Sequence, residues 1–498
     1  MPGVPLQVVI LGGGSSGYMA AAGLLGRLPA TACRVRLIES DAIGTVGVGE
    51  ATLPHIRTFI QSLGLDEAEF IAATEATIKL GIDFVGWGQP DSRYIHPFGA
   101  FGETMASAEF QHGWLRAHQA GRAGPFQSYS FAVEAARAGK FAPPLPPDAR
   151  NIASTYDYAY HFDASLYARY LRSYAEARGL KRTEGEVARV DLNPHTGNIA
   201  SLTLKSGEVV TGDLFIDCSG FRSVLAGEAL GSGWQDWSAW LPCDRAWAVP
   251  SEKIPSLPPY TQATARTAGW QWTIPLQHRT GNGYVFASNF ISEEAAAAEL
   301  MANLGGAAQA EPRLLRFSPG RRTQAWVKNC IAVGLASGFL EPLESTSLYL
   351  AQIAVTNLID LWPTAQGDDR LRAAFNRRVD TEYDRVRDFL ILHYYANQRS
   401  DGELWRYTRE MVVPDSLIER IALFEETSTI AHNPGGLFSA QSWLSVYHGQ
   451  GIVPRSYSRL VDSMPLDALT GRLDDLSQRI ATGVEAMPTH AAFLAGVS

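Results

Sequence analysis

Residues 8–17 read Val8-Val9-Ile10-Leu11-Gly12-Gly13-Gly14-Ser15-Ser16-Gly17, an apolar, largely β-branched run that stops in a turn of glycines. Residues 6–11 have strand character and Tyr18 to Leu28 have helix-forming composition, so the stretch predicts strand, tight turn and helix. Arg34-Val35-Arg36-Leu37-Ile38 predicts a second strand that ends at Glu39. Together they form the opening βαβ of a doubly wound, Rossmann-like α/β fold. In the GxGxxG spacing, Gly12, Gly14 and Gly17 let the backbone approach a pyrophosphate at a helix N-terminus, with Ser15 in the first turn. Glu39 is placed to accept from ribose hydroxyls. A glycine turn alone has an ordinary structural explanation. The strand before it, the helix after it and the acid downstream favour a bound dinucleotide.

Two further segments, Gly212 to Gly220 and Ala332 to Gly338, each set a small-residue turn after an apolar strand. They offer Asp217, Gly220, Gly334 and Leu335 as residues that complete an enclosed site, which favours FAD over NAD. No second complete GxGxxG is visible, so electrons are expected from a separate NAD(P)H-dependent flavin reductase.

The rest of the chain is read around this module. Leu202 to Leu204 and Val209 to Ile216 predict strands about the Ser206-Gly207 turn. From Tyr349 the spacing turns helical over 349–362, 368–398 and 415–427, interrupted by Pro363, Pro414 and Pro434. This predicts a discontinuous FAD-binding module with substrate-site insertions over 1–348 and a mainly helical region over 349–498 that completes the substrate site. Ala142 to Pro147 reads as a surface loop.

Composition narrows the partners. A formal net charge of -9 argues against a nucleic-acid groove or an anionic membrane surface, since both need a basic field. Cys33, Cys218, Cys243 and Cys330 are scattered without a CxxC pair, so no disulfide framework and no metal site is expected. No apolar run reaches the roughly 18 residues of a membrane span. A cytoplasmic setting is the expectation.

Several segments together resemble the flavin-dependent halogenases, above all the tryptophan halogenase branch. They run from residue 12 to about residue 451. Gly47-Val48-Gly49-Glu50-Ala51-Thr52-Leu53-Pro54 resembles the family's flavin-contacting loop, with Gly49, Glu50 and Ala51 toward the cofactor. Trp270-Gln271-Trp272-Thr273-Ile274-Pro275 resembles the WxWxIP signature that separates halogenases from flavin monooxygenases of the same fold type. The resemblance implies that reduced FAD (FADH2) and O2 oxidise a halide, bromide or chloride, to hypohalous acid. It also implies that Trp270 and Trp272 keep an organic substrate off the flavin.

The resemblance places Lys79 as the catalytic lysine, an ammonium that hydrogen-bonds hypohalous acid or carries the halogen as a haloamine. From residue habits alone, Lys79 in a helical stretch reads as a solvated charge. In Phe339-Leu340-Glu341-Pro342-Leu343-Glu344-Ser345-Thr346-Ser347, composition leaves Glu341 and Glu344 tied, and the family match assigns Glu344 as the second catalytic residue. Thr346 and Ser347 surround the halide in the same match. Many tryptophan halogenases have Gly after that Thr, and Ser347 therefore suggests a preference for bromide.

His96-Pro97-Phe98 resembles the segment that flanks an indole ring, and Phe438 or, less directly, Trp443 supplies the third aromatic. The resemblance implies a Tyr and Glu set before that aromatic to clamp a free amino acid; the stretch Ser428 to Gly436 lacks it, which favours a smaller indole, a pyrrole or a phenol over free tryptophan. His432 within it reads as solvated or capping. A flavin-dependent aromatic hydroxylase and a non-catalytic flavin sensor are the competing readings. Neither needs Lys79, Glu344 and the WxWxIP segment together.

Overall fold

The computed structural model describes residues 4–42, 49–146, 151–364, 368–431 and 435–497. The chain divides into two compact units, each visited three times: residues 1–76, 162–244 and 316–384 form one, and 77–161, 245–315 and 385–498 the other. The expected boundary at 348/349 falls inside the first unit. Helical composition begins there, but helix Ser347–Asp360 belongs with the first unit.

The first unit is built on a six-stranded sheet. Leu6–Leu11 pairs in parallel with Cys33–Glu39 on one side and Leu214–Asp217 on the other. Lys181–Glu184 extends the first edge, and Cys330–Ala332 and then the antiparallel Trp326–Val327 extend the second. Val8, Val9 and Ile10 are at most 1% exposed, which explains their unbroken apolar run: a central parallel strand is covered on both faces. Helix Ser15–Arg27 buries Gly17 to Leu24 in succession, and its run of small residues from Ala20 to Gly23 permits close approach. A Cβ at Gly23 would lie 2.7 Å from Val355 Cγ1 of helix Ser347–Asp360, so the two helices meet at that glycine.

The Val209 to Ile216 expectation is corrected. Val209–Thr211 closes the antiparallel sheet of Val187–Leu192 and Ile199–Leu204, whereas Leu214–Asp217 joins the parallel sheet. The chain changes sheets at Gly212-Asp213, and Asp213 accepts from the Gln7 N–H at 2.7 Å. The Ser206-Gly207 turn stands as expected, with Gly207 at φ 87°.

The second unit carries an antiparallel sheet running Arg245–Ser251, Thr280–Phe286, Gly269–Pro275 and Thr261–Arg266. Gly81–Val85 then joins in parallel to Thr261–Arg266, and Arg93–Pro97 returns antiparallel to it. The helices of residues 385–497 belong to the same unit. The helices expected over 368–398 and 415–427 are Asp369–Tyr395 and Asp415–Thr427. Pro414 starts the latter as its N-cap and Ser428, at φ 63°, ends it. Pro147, His432 and Pro434 lie outside the described residues. Among the described residues no helix is long and apolar enough to cross a membrane, and no His, Cys, Asp or Glu group has the makings of a metal site.

Candidate active site

In the first unit the glycine turn does two different things. Gly12 at φ 115° and Gly17 are glycines for packing, since a Cβ on them would lie 2.2 Å from the Cys218 carbonyl oxygen and 1.9 Å from that of Gly12. At Gly14 a Cβ would meet nothing within 4 Å. Gly14 is also the N-cap of Ser15–Arg27 and supplies no side-chain cap, so the first-turn N–H groups are left for an anion. Gly220, at φ 72°, likewise faces open space. A cradle of this kind fits a dinucleotide pyrophosphate. Gly334 is tight instead, with a Cβ 2.3 Å from Ser16 Oγ, and holds the Gly334–Ala336 turn that includes Leu335.

Glu39 sits beside that turn. Its Oε1 accepts from the Tyr18 hydroxyl at 2.6 Å and from Arg182 Nε, and its Oε2 covers Gly13, where a Cβ would lie 1.5 Å away. Burial and the Glu39 charge push the Tyr18 phenol well up. Glu39 is thereby fixed at the end of its strand, with Oε2 toward the turn. Neither Tyr18 nor Arg182 carries a motif in the sequence that marks this role. Asp217 is wholly buried and accepts from Ser219 N and Oγ, Leu225 N and Ala226 N at 2.5–3.0 Å. Its oxygens shape the Gly220 turn, and its bearing on a cofactor runs through that turn. Gly49–Ala51 is a short strand in which desolvation raises the Glu50 carboxyl to about 7. Gly47 and Val48 lie outside the described residues.

The turn carrying Glu341 and Glu344 belongs to the same unit. Both carboxylates are buried, at 1% and 0% exposure, so burial does not break the tie between them. Pro342–Glu344 makes one helical turn, Ser345 reverses the chain at φ 58°, and helix Ser347–Asp360 begins after Thr346. Thr346 is the N-cap yet makes no side-chain cap, and its buried hydroxyl has no hydrogen-bond partner among the described residues. An unused O–H beside the N–H groups of a helix start is a donor set that suits a halide. Ser347, half-buried, is the first helical residue.

In the second unit, Lys79 ends strand Thr77–Lys79, which pairs antiparallel with residues 159–161. The helical expectation is corrected: Thr77 and Ile78 are β-branched and pair as a strand. Lys79 is 0% exposed, and its Nζ lies 5.1 Å from the centroid of the Phe98 ring. The Phe98 N–H donates to the Leu80 carbonyl at 2.7 Å, which holds that ring beside the lysine's strand.

His96 is buried on strand Arg93–Pro97. Its ring lies 6.2 Å from that of Phe438, tilted by 47°, and 5.6 Å from that of Phe389. Phe389 stacks on Phe438 at 3.9 Å and meets Trp443 edge-on at 5.1 Å, and the Arg420 guanidinium lies 5.2 Å from the Trp443 centroid. Sequence reasoning thus finds three members of this wall and misses Phe389, one apolar residue among many in its helix.

Trp270 and Trp272 project from one face of Gly269–Pro275, with centroids 6.1 Å apart. Trp272 is paired across the sheet with Gly283, where a Cβ would lie 2.0 Å from the indole. Glycine at 283 is what admits the ring. Trp272 Nε1 is buried without a partner among the described residues, and Trp270 packs near Trp87 at 6.4 Å.

A Rossmann-like cradle and a buried lysine in a chain bearing WxWxIP define a flavin-dependent halogenase. The chain belongs to the tryptophan halogenase family, whose match covers residues 7–466. It is 38% identical over 444 residues to the tryptophan 6-halogenase SttH of Streptomyces toxytricini, covering 84% of this chain and 83% of that one. Among solved structures it is similar to BrvH, a flavin-dependent halogenase from Brevundimonas sp. BAL3, at 45% identity and TM-score 0.95 over 100% of both chains. Xcc4156, a flavin-dependent halogenase from Xanthomonas campestris, gives 45% and 0.95 over 99% of both. The protein is therefore an oxidoreductase of the flavin-dependent halogenase type.

Proposed function

We propose that this chain is an FADH2-dependent halogenase that acts on an indole-like aromatic without an amino-acid head group, with bromide preferred over chloride. The observation that carries the reading is Lys79: a fully buried ammonium 5.1 Å from the Phe98 ring, in the unit that also holds His96 and the WxWxIP strand. Reduced flavin, when bound, supplies with O2 the oxidation of halide to hypohalous acid. Gly12, Gly14, Ser15, Gly17, Glu39, Gly49, Glu50, Ala51, Asp217, Gly220, Gly334 and Leu335 are the residues that would form its cradle, with Gly12, Gly17, Asp217 and Gly334 shaping the turns rather than touching it.

The chain's own groups do the rest. The Thr346 hydroxyl and the N–H groups at the start of Ser347–Asp360 receive the halide. Lys79 holds hypohalous acid by hydrogen bonding, or takes its halogen onto nitrogen as the O–halogen bond breaks and water leaves, and presents an electrophile to the ring. Glu344 takes the proton from the ring carbon that has gained the halogen, which prevents reversion. Trp270 and Trp272 keep substrate from the flavin, and His96, Phe98, Phe438 and Trp443 bound the ring. A separate NAD(P)H-dependent reductase supplies FADH2, since one GxGxxG is present.

Several relatives are named as tryptophan halogenases, which supports the chemistry. The substrate is read differently because residues 428–436 contain no Tyr or Glu. Bromide is favoured because it is larger, less strongly hydrated and more easily oxidised than chloride, and Ser347 alters the halide's surroundings.

Indole and free tryptophan, each incubated with the protein, FAD, a flavin reductase, NADH, O2 and bromide, separate the readings by mass spectrometry. A bromine isotope doublet on indole alone is the expected result. A doublet on tryptophan overturns the substrate assignment, and products that gain oxygen return the protein to aromatic hydroxylation.

A further inference from the structure

The strand that ends in Lys79 is gripped by two imidazoles, and their hydrogen bonds fix the tautomer of each. The Thr77 hydroxyl lies 2.6 Å from the Pro275 carbonyl and donates its proton there. It must therefore accept from His161 Nδ1, 2.9 Å away. A neutral His161 protonated on Nδ1 accepts at Nε2 from the Thr261 hydroxyl, also at 2.9 Å. The chain of donors runs in one direction: Thr261, His161, Thr77, Pro275. It ties the lysine's strand to the last residue of the WxWxIP segment and to the strand paired with it.

The second imidazole is His490, the first residue of helix His490–Val497. Its Nδ1 lies 2.7 Å from the Leu257 carbonyl and can only donate to it. Its Nε2 then accepts the N–H of Ile78, the residue before Lys79, at 3.0 Å. Both rings are 0% exposed. Burial lowers His490 to about 4, and burial with the nearby Lys79 ammonium lowers His161 well below the usual range. A proton on Nε2 of His490 would set N–H against N–H.

We infer that His490 and His161 are positioning residues for Lys79, neutral props that set where its ammonium stands, and that the C-terminal helix is thereby part of the halogen-transfer apparatus. An edge-strand N–H taken by a side chain from residue 490 is the juxtaposition that carries this. A buried peptide N–H needs an acceptor, and an imidazole locked by Leu257 supplies one with little freedom to shift. The inference rests on the proposed function only in taking Lys79 as the group that delivers halogen.

The test compares His490→Ala and His490→Gln with the parent enzyme. Gln can accept from Ile78 and donate to Leu257 and so should rescue. For each we would measure bound flavin, bromide oxidation captured by a diketone scavenger, and brominated indole. The expected result is a loss of at least tenfold in indole bromination for His490→Ala, with scavenger bromination and flavin content retained, and recovery in His490→Gln. A proportional fall in all three overturns the inference by showing general structural damage, as does unchanged indole bromination. Absence of both brominations in the parent enzyme would instead refute the proposed function. Nitrogen NMR of 15N-histidine protein is independent of catalysis: His161 and His490 should show protonated Nδ1 and bare Nε2 from pH 8 down to pH 5.5. The opposite tautomer, or titration in that range, overturns the inference.

Discussion

The ring of Phe389 covers the face of Phe438, with centroids 3.9 Å apart and planes 23° from parallel. A flat substrate slid between two parallel rings needs about 7 Å between them, two carbon contacts of roughly 3.5 Å. His96 and Phe438 are 6.2 Å apart and inclined by 47°, so the space between them takes no third ring in stacked fashion. Under the role proposed for Phe438, Phe389, stacked on its face, limits the size of the ring that can meet it. Phe389→Leu should raise the kcat/KM ratio of a bulkier substituted indole to indole by about tenfold, the scale of a change in pocket volume. Leu is chosen because truncation of a buried Phe to Ala costs about 3–5 kcal/mol. An unchanged ratio would remove Phe389 from the specificity account.

Ser347 follows the orphaned hydroxyl of Thr346 at the helix start. In competition between equal bromide and chloride, the parent enzyme should give mainly brominated product, and Ser347→Gly should move the ratio toward chloride. Equal use of both halides by the parent enzyme would dispose of the bromide preference.

Asp217→Asn places an amide nitrogen against N–H and O–H donors, whichever way it is turned, because both carboxylate oxygens accept. One buried donor left facing another costs about 1–3 kcal/mol. Chemical denaturation should show a lower midpoint, and titration with FAD weaker binding, since the Gly220 turn loosens. Retained affinity for FAD would mean the turn is not part of the cradle.

Glu50 supplies a pH signature. Desolvation pushes its folded carboxyl up to about 7, against an ordinary value of 4.5. The folded chain thus holds a proton that the unfolded chain has lost between these values, and stability from this group falls as pH rises from about 4.5 through 7. Buried histidines such as His448 and His490, held near 3 and 4, act in the opposite sense below pH 6.5. The difference between the parent protein and Glu50→Gln isolates the carboxyl: the variant should gain relative stability toward pH 8. Parallel stability curves would contradict the desolvated carboxyl.

The parts legible in the sequence are those with a local cause. The βαβ opening is visible because a fully covered strand needs an unbroken apolar run and the turn after it needs glycine. Helix Asp415–Thr427 is visible because its periodicity lies between a starting proline and a stopping residue. What is missed depends on distant partners. Gly81–Val85 finds its parallel neighbour at Thr261–Arg266, which no local pattern announces, and this interleaving hides the true division into units. Lys79 reads as a solvated helical charge until its strand pairing and burial are known. Phe389, His161 and His490 act through rings and backbone groups far away in sequence, so their residue types alone give no signal.

Mass spectrometry of indole treated with the parent enzyme and with Lys79→Ala, each with FAD, a flavin reductase, NADH, O2 and bromide, tests the central claim most directly. The account predicts a bromine isotope doublet with the parent enzyme and none with Lys79→Ala, whose FAD stays bound. Bromoindole from Lys79→Ala at the parent rate, or an oxygenated product from the parent enzyme, would contradict it.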